Sequence, residues 1–443
     1  MKNIIRASLA IVLVLPLITF GGSGSTRAAA IPSSGLVCTT AAGPNPTFTL
    51  TAKSGMIHMP DGNRIFAWSY TSGSNAFQFP GPNLCVNQND VVTIVLNNTL
   101  PEATSILFPG IEGVTSNGAP AMPEFTGTTL TSLAPTAPAL NGTVSYTFTA
   151  TNPGTYLYES GTDMGKQVQM GLYGALVVRS AATVAGAVCA YTCAESAYKA
   201  DTEFVMLLSE IDPKLHQAVE LGQTYNVTTL HPRYWLINGR AFPDTIAANN
   251  APWLPAQPYS ALVHITVTDD TTNPGQPPAL VRYLNAGSLG HPFHPHGQNG
   301  RVIARDADPL LNTAGQDLSY ETFSATIGSG QTWDELYAFY DQEHFDPTTN
   351  PIPVTTPQLQ NLLFKDAATY YSGSNYLGQK GPLPVATTSF NECGEFYMVW
   401  HSHALNEAAN FDTGFGGMLT LERIDPVVKT PPVPGSLAAT CTK

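Results

Sequence analysis

The sequence is poor in charged residues, and the charge it carries is mostly of one sign. Asp, Glu, Lys and Arg make up 12% of its 443 residues, about half of the share usual in globular proteins. Acidic residues outnumber basic ones by 32 to 19, which gives a net charge of −13. This charge argues against binding to nucleic acid or to anionic membrane surfaces. It would suit a cationic ligand, but solubility is the preferred explanation.

Long apolar runs are missing beyond the N-terminus. Ala7–Phe20 is apolar but short for a membrane span, and it follows the basic residues Lys2 and Arg6. Small residues at 28–30 offer a cleavage site. The pattern predicts a signal peptide over residues 1–30 and therefore a secreted protein, extracellular or periplasmic. A retained N-terminal anchor is the alternative, and no other membrane segment is expected.

Convincing amphipathic helices are also missing, whereas short strand-like segments recur. Val91–Leu96 and Glu203–Leu208 are examples, and 38 glycines and 36 prolines supply the turns between such segments. This spacing predicts an all-β protein of sandwiches or barrels. The Ala-rich stretch from Ser180 to Ala200 is interpreted as a linker. The predicted divisions are a first domain over 31–180, a linker over 181–200, a second domain over 201–425 and a Pro-rich tail over 426–443.

Six cysteines lie beyond the predicted signal peptide. An even number in an exported protein indicates up to three disulfides. Cys189 and Cys193 are close enough to close one small loop. We expect Cys38 to pair with Cys85 and Cys393 with Cys441, although the sequence alone leaves the connectivity open.

Histidine is scarce, yet five of the ten histidines fall in two short stretches. These are His291–Gly297 and Trp400–His403. Alternate side chains of a β-strand share a face, so His294 and His296 can project together, as can those at 401 and 403. Neutral imidazole is a common ligand for copper, zinc and iron, and two pairs on neighbouring strands predict a metal site. The simpler alternative is two pairs of exposed strand histidines.

Several stretches, in order along the chain, resemble landmarks of the multicopper oxidase family. Phe79–Pro82 resembles its opening Pro-Gly-Pro segment, and Gly154–Gly161 stands where the family has a Tyr-His-Ser-His segment. His291–Gly297 resembles the histidine motif of the last domain, and His401–His403 with Met418 resembles the closing motif. The resemblance implies two cupredoxin-like Greek-key β-barrel domains. Only two domain-sized regions are present, which suits the two-domain branch, whose members tend to be trimers.

The chain departs from the family at positions that the resemblance assigns to copper. The positions matching the blue copper ligands are His291, Ser402, Glu407 and Met418. The positions matching the four first-domain histidines of the copper cluster are Leu107, Pro109, Glu159 and Gly161. A serine thus replaces the cysteine, and its hydroxyl lacks the thiolate covalency that defines a blue site. The last-domain half of the cluster is retained.

The retained residues predict a mono- or dinuclear metal site in a secreted oxidoreductase of altered, non-laccase type. The expected ligands are His294, His296, His401 and His403, with the carboxylate of Glu159. A hydrogen-bonded or solvated carboxylate is the alternative for Glu159. His291 and Glu407 are further candidate ligands. The alternative for His291 is a hydrogen bond to Glu407 or to Ser402.

Copper is the expected metal, and zinc and iron remain open. A small-molecule reductant and a homotrimer are the other expected partners. The alternative function is a non-catalytic cupredoxin scaffold or a protein that stores a metal.

Overall fold

The computed structural model describes residues 34–266, 277–340 and 396–425, with two short strands at 362–363 and 369–370. The expectation of an all-β fold is confirmed, since strands dominate and the helices are short. No helix among the described residues is long and apolar enough to cross a membrane. The predicted signal peptide, the predicted tail and the pairing of Cys393 with Cys441 lie outside the described residues.

Among the described residues, the strands of the N-terminal half (residues 47–179) form ladders with one another. They are β1 Thr47–His58, β2 Arg64–Ser72, β3 Leu84–Asn87, β4 Val91–Asn98, β5 Thr115–Ser116, β6 Ala119–Pro120, β7 Glu124–Thr126, β8 Thr129–Ser132, β9 Gly142–Thr149, β10 Gly154–Glu159 and β11 Tyr173–Arg179, with helix α1 at Met164–Gln167. A six-stranded sheet has the order β2-β1-β4-β9-β5-β6, a three-stranded sheet has the order β10-β11-β3, and β7 pairs with β8. Every second residue of β4 is buried, as its alternating sequence requires.

The predicted linker is folded. It contains β12 Thr183–Val184, β13 Ala187–Cys189, helix α2 Cys193–Ser196 and β14 Ala197–Tyr198. The three strands form a small sheet. The expected disulfides Cys189–Cys193 and Cys38–Cys85 are confirmed.

Strands of the C-terminal half (residues 203–425) form two larger sheets. The elements are β15 Glu203–Ile211, α3 Pro213–Glu220, 3₁₀ turns at Val227–Thr229, Asp244–Ile246 and Leu405–Glu407, β16 Tyr234–Ile237, β17 Val263–Thr266, β18 Ala279–Asn285, β19 His291–Pro295, β20 Gly300–Arg305, β21 Asp308–Pro309, β22 Tyr320–Thr322, β23 Ala325–Ile327, β24 Thr332–Tyr337, β25 Leu362–Leu363, β26 Thr369–Tyr370, β27 Phe396–Ser402, β28 Ala409–Asn410, β29 Thr413–Gly414 and β30 Leu419–Asp425. The nine-stranded sheet runs β21-β20-β24-β18-β15-β16-β28-β29 with β22 on β20, the five-stranded sheet runs β17-β30-β27-β19-β23, and β25 pairs with β26.

Helix α3 was not predicted, although its start signals are present in the sequence. Pro213 occupies the first turn, and the side chain of Asp212 accepts a hydrogen bond from the backbone N–H of Lys214 at 2.9 Å. Both are typical of a helix N-terminus. The helix buries Leu215 and His216, and eight residues are too few for helical periodicity to stand out.

A buried ionic network joins the two halves of the chain. The guanidinium of Arg282 donates to Glu203 Oε1 at 2.8 Å and to Asp334 Oδ2 at 3.0 Å. Asp334 also accepts the hydroxyls of Thr155, from the N-terminal half, at 2.6 Å and of Tyr191, from the folded linker, at 2.8 Å. All three charged side chains of the network are buried, so each charge is stabilised by its partners rather than by water.

Asp334→Asn is expected to lower the free energy of unfolding by roughly 3 kcal/mol, because it removes one of the two carboxylates that compensate the buried Arg282. Urea titration measures the change. The matched control is Asp412→Asn, whose carboxylate pairs with Arg233 but is 77% exposed. We expect the control to lose no more than about 1 kcal/mol. Equal losses would contradict the assignment of this network as an anchor between the halves.

Candidate metal centre

Two antiparallel strands bring the four predicted histidine ligands together. β19 pairs with β27 so that His294 lies opposite His401. Because side chains directly opposite in a sheet point to the same face, the two imidazoles share one side. His296 and His403 follow two residues further along each chain, where the same face recurs. The opposite face of the pair is buried in the core.

The four imidazoles form one compact group, called here the histidine cluster (His294, His296, His401 and His403). Its ring centroids are 4.9 Å apart for His294 and His296, 5.2 Å for His296 and His401, 5.4 Å for His294 and His403, and 5.6 Å for His401 and His403. His296 and His403 are exposed and the other two are half-buried. The cluster is therefore open to solvent on one side.

Backbone carbonyls select the nitrogen that two of these rings can offer to a metal. His401 Nδ1 lies 2.7 Å from the carbonyl oxygen of Ser402, and His294 Nδ1 is hydrogen-bonded to the carbonyl oxygen of Phe323. A carbonyl only accepts, so each Nδ1 carries the proton and each Nε2 keeps its lone pair. Hydrogen bonds of this kind orient histidine ligands in metal sites.

The contact between His296 and His401 is the part of the cluster that fits a metal ion. Their Nε2 atoms are 3.1 Å apart, a separation that suits two ligands at about 2.0–2.1 Å from one ion. Burial, followed by the neighbouring histidines, lowers the pKa of His296. Burial is also the largest cause of the lowered pKa of His401. Both shifts favour the neutral rings that a metal requires.

The fit extends to two rings rather than to the whole cluster. Among the described residues, no group of three or more His, Cys, Asp or Glu side chains is arranged to hold one ion. His294 and His403 would have to turn their rings toward the pair formed by His296 and His401. His294 is half-buried and His403 is exposed, so turning these two rings would not disturb the core.

Glu159 lies in the N-terminal half, at the end of β10 and in a different sheet from the strands of the histidine cluster. Its backbone exchanges hydrogen bonds with Leu107 at 2.7 and 3.0 Å, and it faces Tyr173 across β10 and β11. Burial raises the pKa of its carboxyl to about 7. Within the described part of the chain, no hydrogen bond or charge interaction of Glu159 reaches the four histidines. Glu159 as a fifth ligand therefore stays a prediction.

The hydrogen bond expected for His291 is present. His291 Nδ1 lies 2.8 Å from Glu407 Oε2, and the Ser402 hydroxyl donates to the same oxygen at 2.5 Å. His291 and Ser402 are fully buried, as is Met418. Because the Ser402 hydroxyl bonds to the carboxylate and not to the imidazole, these groups do not form a nucleophilic triad. Nothing in the arrangement leaves His291 Nδ1 free for a metal.

Sequence reasoning overlooked Glu210, which is buried beside His291. Glu210 Oε2 lies 3.4 Å from His291 Nε2. The available signal was a carboxylate close to the apolar run 204–208, and in the structure all nine residues of β15 are buried. A buried carboxylate needs a hydrogen-bonding or charged partner, but the sequence does not show which residue provides it.

The match to a known protein family covers part of the N-terminal half and not the histidine cluster. Residues 71–183 match the family model described as multicopper oxidase, a region that includes Glu159 but ends before the histidine cluster. No curated protein matches the chain.

Solved structures match over most of the chain. The chain is similar to the multicopper oxidase mgLAC, with 16% identity, a TM-score of 0.54 and coverage of 86% of this chain and 88% of that one. The blue copper oxidase from Nitrosomonas europaea gives 16% identity and a TM-score of 0.54, with 90% and 94% covered. Identities this low establish the fold alone. The chain therefore has the cupredoxin-type fold of multicopper oxidases, and over residues 71–183 it is multicopper-oxidase-like in sequence as well.

Proposed function

We propose that this protein binds copper through the histidine cluster and acts as an oxidoreductase of a non-laccase type. The observation that carries the proposal is the group of four imidazoles on one face of β19 and β27, with the Nε2 atoms of His296 and His401 at 3.1 Å. The two Nδ1–H groups bonded to carbonyls support it, because they leave Nε2 lone pairs available. Zinc and iron suit the same ligands.

The proposed site is mono- or dinuclear and lacks a blue copper. Ser402 stands at the position that the resemblance gives to the cysteine ligand, and a hydroxyl does not replace a thiolate in such a site. His291 is held by carboxylates rather than left open. Bound copper would supply one-electron chemistry, while the chain itself orients the imidazoles and keeps them neutral.

The open side of the cluster suits a small reductant. His296 and His403 are exposed, the ring of Phe323 lies 5.8 Å from that of His294, and Phe323 and Leu405, two residues after His403, are 65% and 69% exposed. An aromatic donor could pack on these groups and reach the imidazoles directly. The proposal includes a trimer in which Glu159 of another copy lies near the cluster. It also includes export of the protein.

The alternative is a non-catalytic cupredoxin scaffold or a protein that stores metal. The absence of a cysteine at position 402 favours it, whereas the retained histidine cluster favours turnover. Oxygen consumption by the copper-loaded protein with a phenolic donor distinguishes the two. Consumption above that of free copper supports the oxidoreductase, and tight copper binding without consumption supports storage.

His296→Ala and His403→Ala should each lower the copper bound per chain, because each removes one imidazole from the cluster. His231→Ala is the control, since His231 is exposed and outside the cluster. Elemental analysis after dialysis against copper, zinc or iron measures the stoichiometry and identifies the metal. Full copper loading in both cluster variants would overturn the proposal, and equal losses in all three would indicate misfolding.

Copper-loaded protein should lack the intense red-region absorption of a blue copper, and Ser402→Cys should not create it. The new thiolate would meet Glu407 and a His291 already engaged by carboxylates, so the second and third ligands of a blue site are missing. Visible spectra of both proteins test this expectation. An intense band in the native protein would refute our assignment of Ser402.

A further inference from the structure

His291 lies between two buried carboxylates. Its Nδ1 is 2.8 Å from Glu407 Oε2, and its Nε2 is 3.4 Å from Glu210 Oε2. All three side chains are almost completely excluded from water. We call Glu210, His291 and Glu407 the His291 bridge.

Both ring nitrogens of His291 face a carboxylate. Among the described residues, His291 Nε2 and Glu210 Oε2 have no hydrogen-bond partner, so their 3.4 Å contact is an ion pair rather than a hydrogen bond. The ring thus lies between one hydrogen-bonded carboxylate and one ion-paired carboxylate, and both favour its protonated form. Burial alone would lower the pKa of His291, but the carboxylates of Glu210 and Glu407 raise it to about 9.

The other oxygen of Glu210 is held by hydrogen bonds. Glu210 Oε1 accepts the backbone N–H of Ser288 at 2.6 Å and its hydroxyl at 2.7 Å. Gln169, from the N-terminal half, donates to it at 3.3 Å. Gly287 makes room for this carboxylate, since a Cβ there would lie 1.8 Å from Glu210 Oε2. The carboxylate has one fixed position, set by both halves of the chain.

The bridge acts on both strands that carry the histidine cluster. His291 opens β19, three residues before His294. Glu407 accepts from His291 and also from Ser402, which lies between His401 and His403 on the other strand. A single carboxylate oxygen thus ties together the two strands at the cluster.

We infer that Glu210 is a positioning residue for the histidine cluster, acting through His291 and Glu407. This inference deepens the proposed copper site and rests on it for its functional meaning. A buried imidazolium between two carboxylates takes a place where the resemblance would put a metal. Its charge joins the strands without the metal, and the network extends into the N-terminal half through Gln169.

Glu210→Gln tests the inference, with Glu203→Gln as the matched control. Both glutamates are buried and ion-paired on β15, but Glu203 pairs with Arg282 and Arg179 at the other end of the strand. In Glu210→Gln the copper dissociation constant should rise roughly 10- to 100-fold, the effect typical of losing an outer partner of metal ligands. The control should leave the copper affinity unchanged.

A second variant separates positioning from simple loss of stability. Glu210→Gln combined with His291→Asn and Glu407→Gln removes all three buried charges of the bridge, so its melting temperature should recover relative to Glu210→Gln alone. Copper affinity should stay low, because the ionic tie between the strands is still missing. Recovery of affinity along with stability would overturn the inference. If Glu210→Gln does not fold, the triple variant is compared directly with the native protein and with Glu203→Gln.

A metal-free measurement keeps this test independent of the proposed function. With nitrogen-15-labelled histidine, the ring resonances of His401 and His403 should shift in Glu210→Gln and stay in place in Glu203→Gln. If the native protein binds no copper, the proposed function fails while the resonances still decide the positioning role. Unchanged resonances in Glu210→Gln, or equal shifts in both variants, would refute it.

Discussion

The pairing of β19 with β27 is the contact on which the rest of the site depends. Phe293 lies opposite Ser402 on one face, and His294 lies opposite His401 on the other. Phe293 and Trp400 are buried in the same core, so a slip by one residue would move them into water and the imidazoles into the core. The hydrophobic core thus fixes the register, and the register fixes the cluster.

Alternation in the sequence predicted which side chains share a face, but not which strands are neighbours. The two histidine motifs are about a hundred residues apart in the chain, and local periodicity carries no information on pairing at that distance. The resemblance to multicopper oxidases supplied the pairing, and the structure contains it. Glu159 was matched by its motif position, yet the fold keeps its carboxyl in another sheet.

Buried charges were the least predictable part of the molecule. A glutamate beside an apolar run, such as Glu210 or Glu203 in β15, would be interpreted from the sequence as an exposed position that interrupts the core. Its partner comes from a strand far along the chain: His291 is the partner of Glu210, and Arg282 is the partner of Glu203. Partners of this kind become visible only when the sheets are assembled, because the burial that demands them is a tertiary property.

The Arg282 network and the His291 bridge explain how a chain with few charges holds its two halves together. Arg282 and Asp334 reach Thr155 in the N-terminal half, and Glu210 reaches Gln169. Buried ionic groups add little net stability over apolar packing, but they tolerate only one arrangement of their partners. Specific orientation of the halves is therefore the property that these clusters contribute.

A cationic His291 also limits how electrons could reach the proposed copper. A ring held between two carboxylates offers no free lone pair to a second metal, so the proposed site includes no blue copper on the buried side of β19 and β27. In the proposed site, electrons would enter from the open side, where His296 and His403 are exposed and Phe323 contacts His294. A donor would then contact the cluster itself, which fits the small reductant that we propose better than a protein donor.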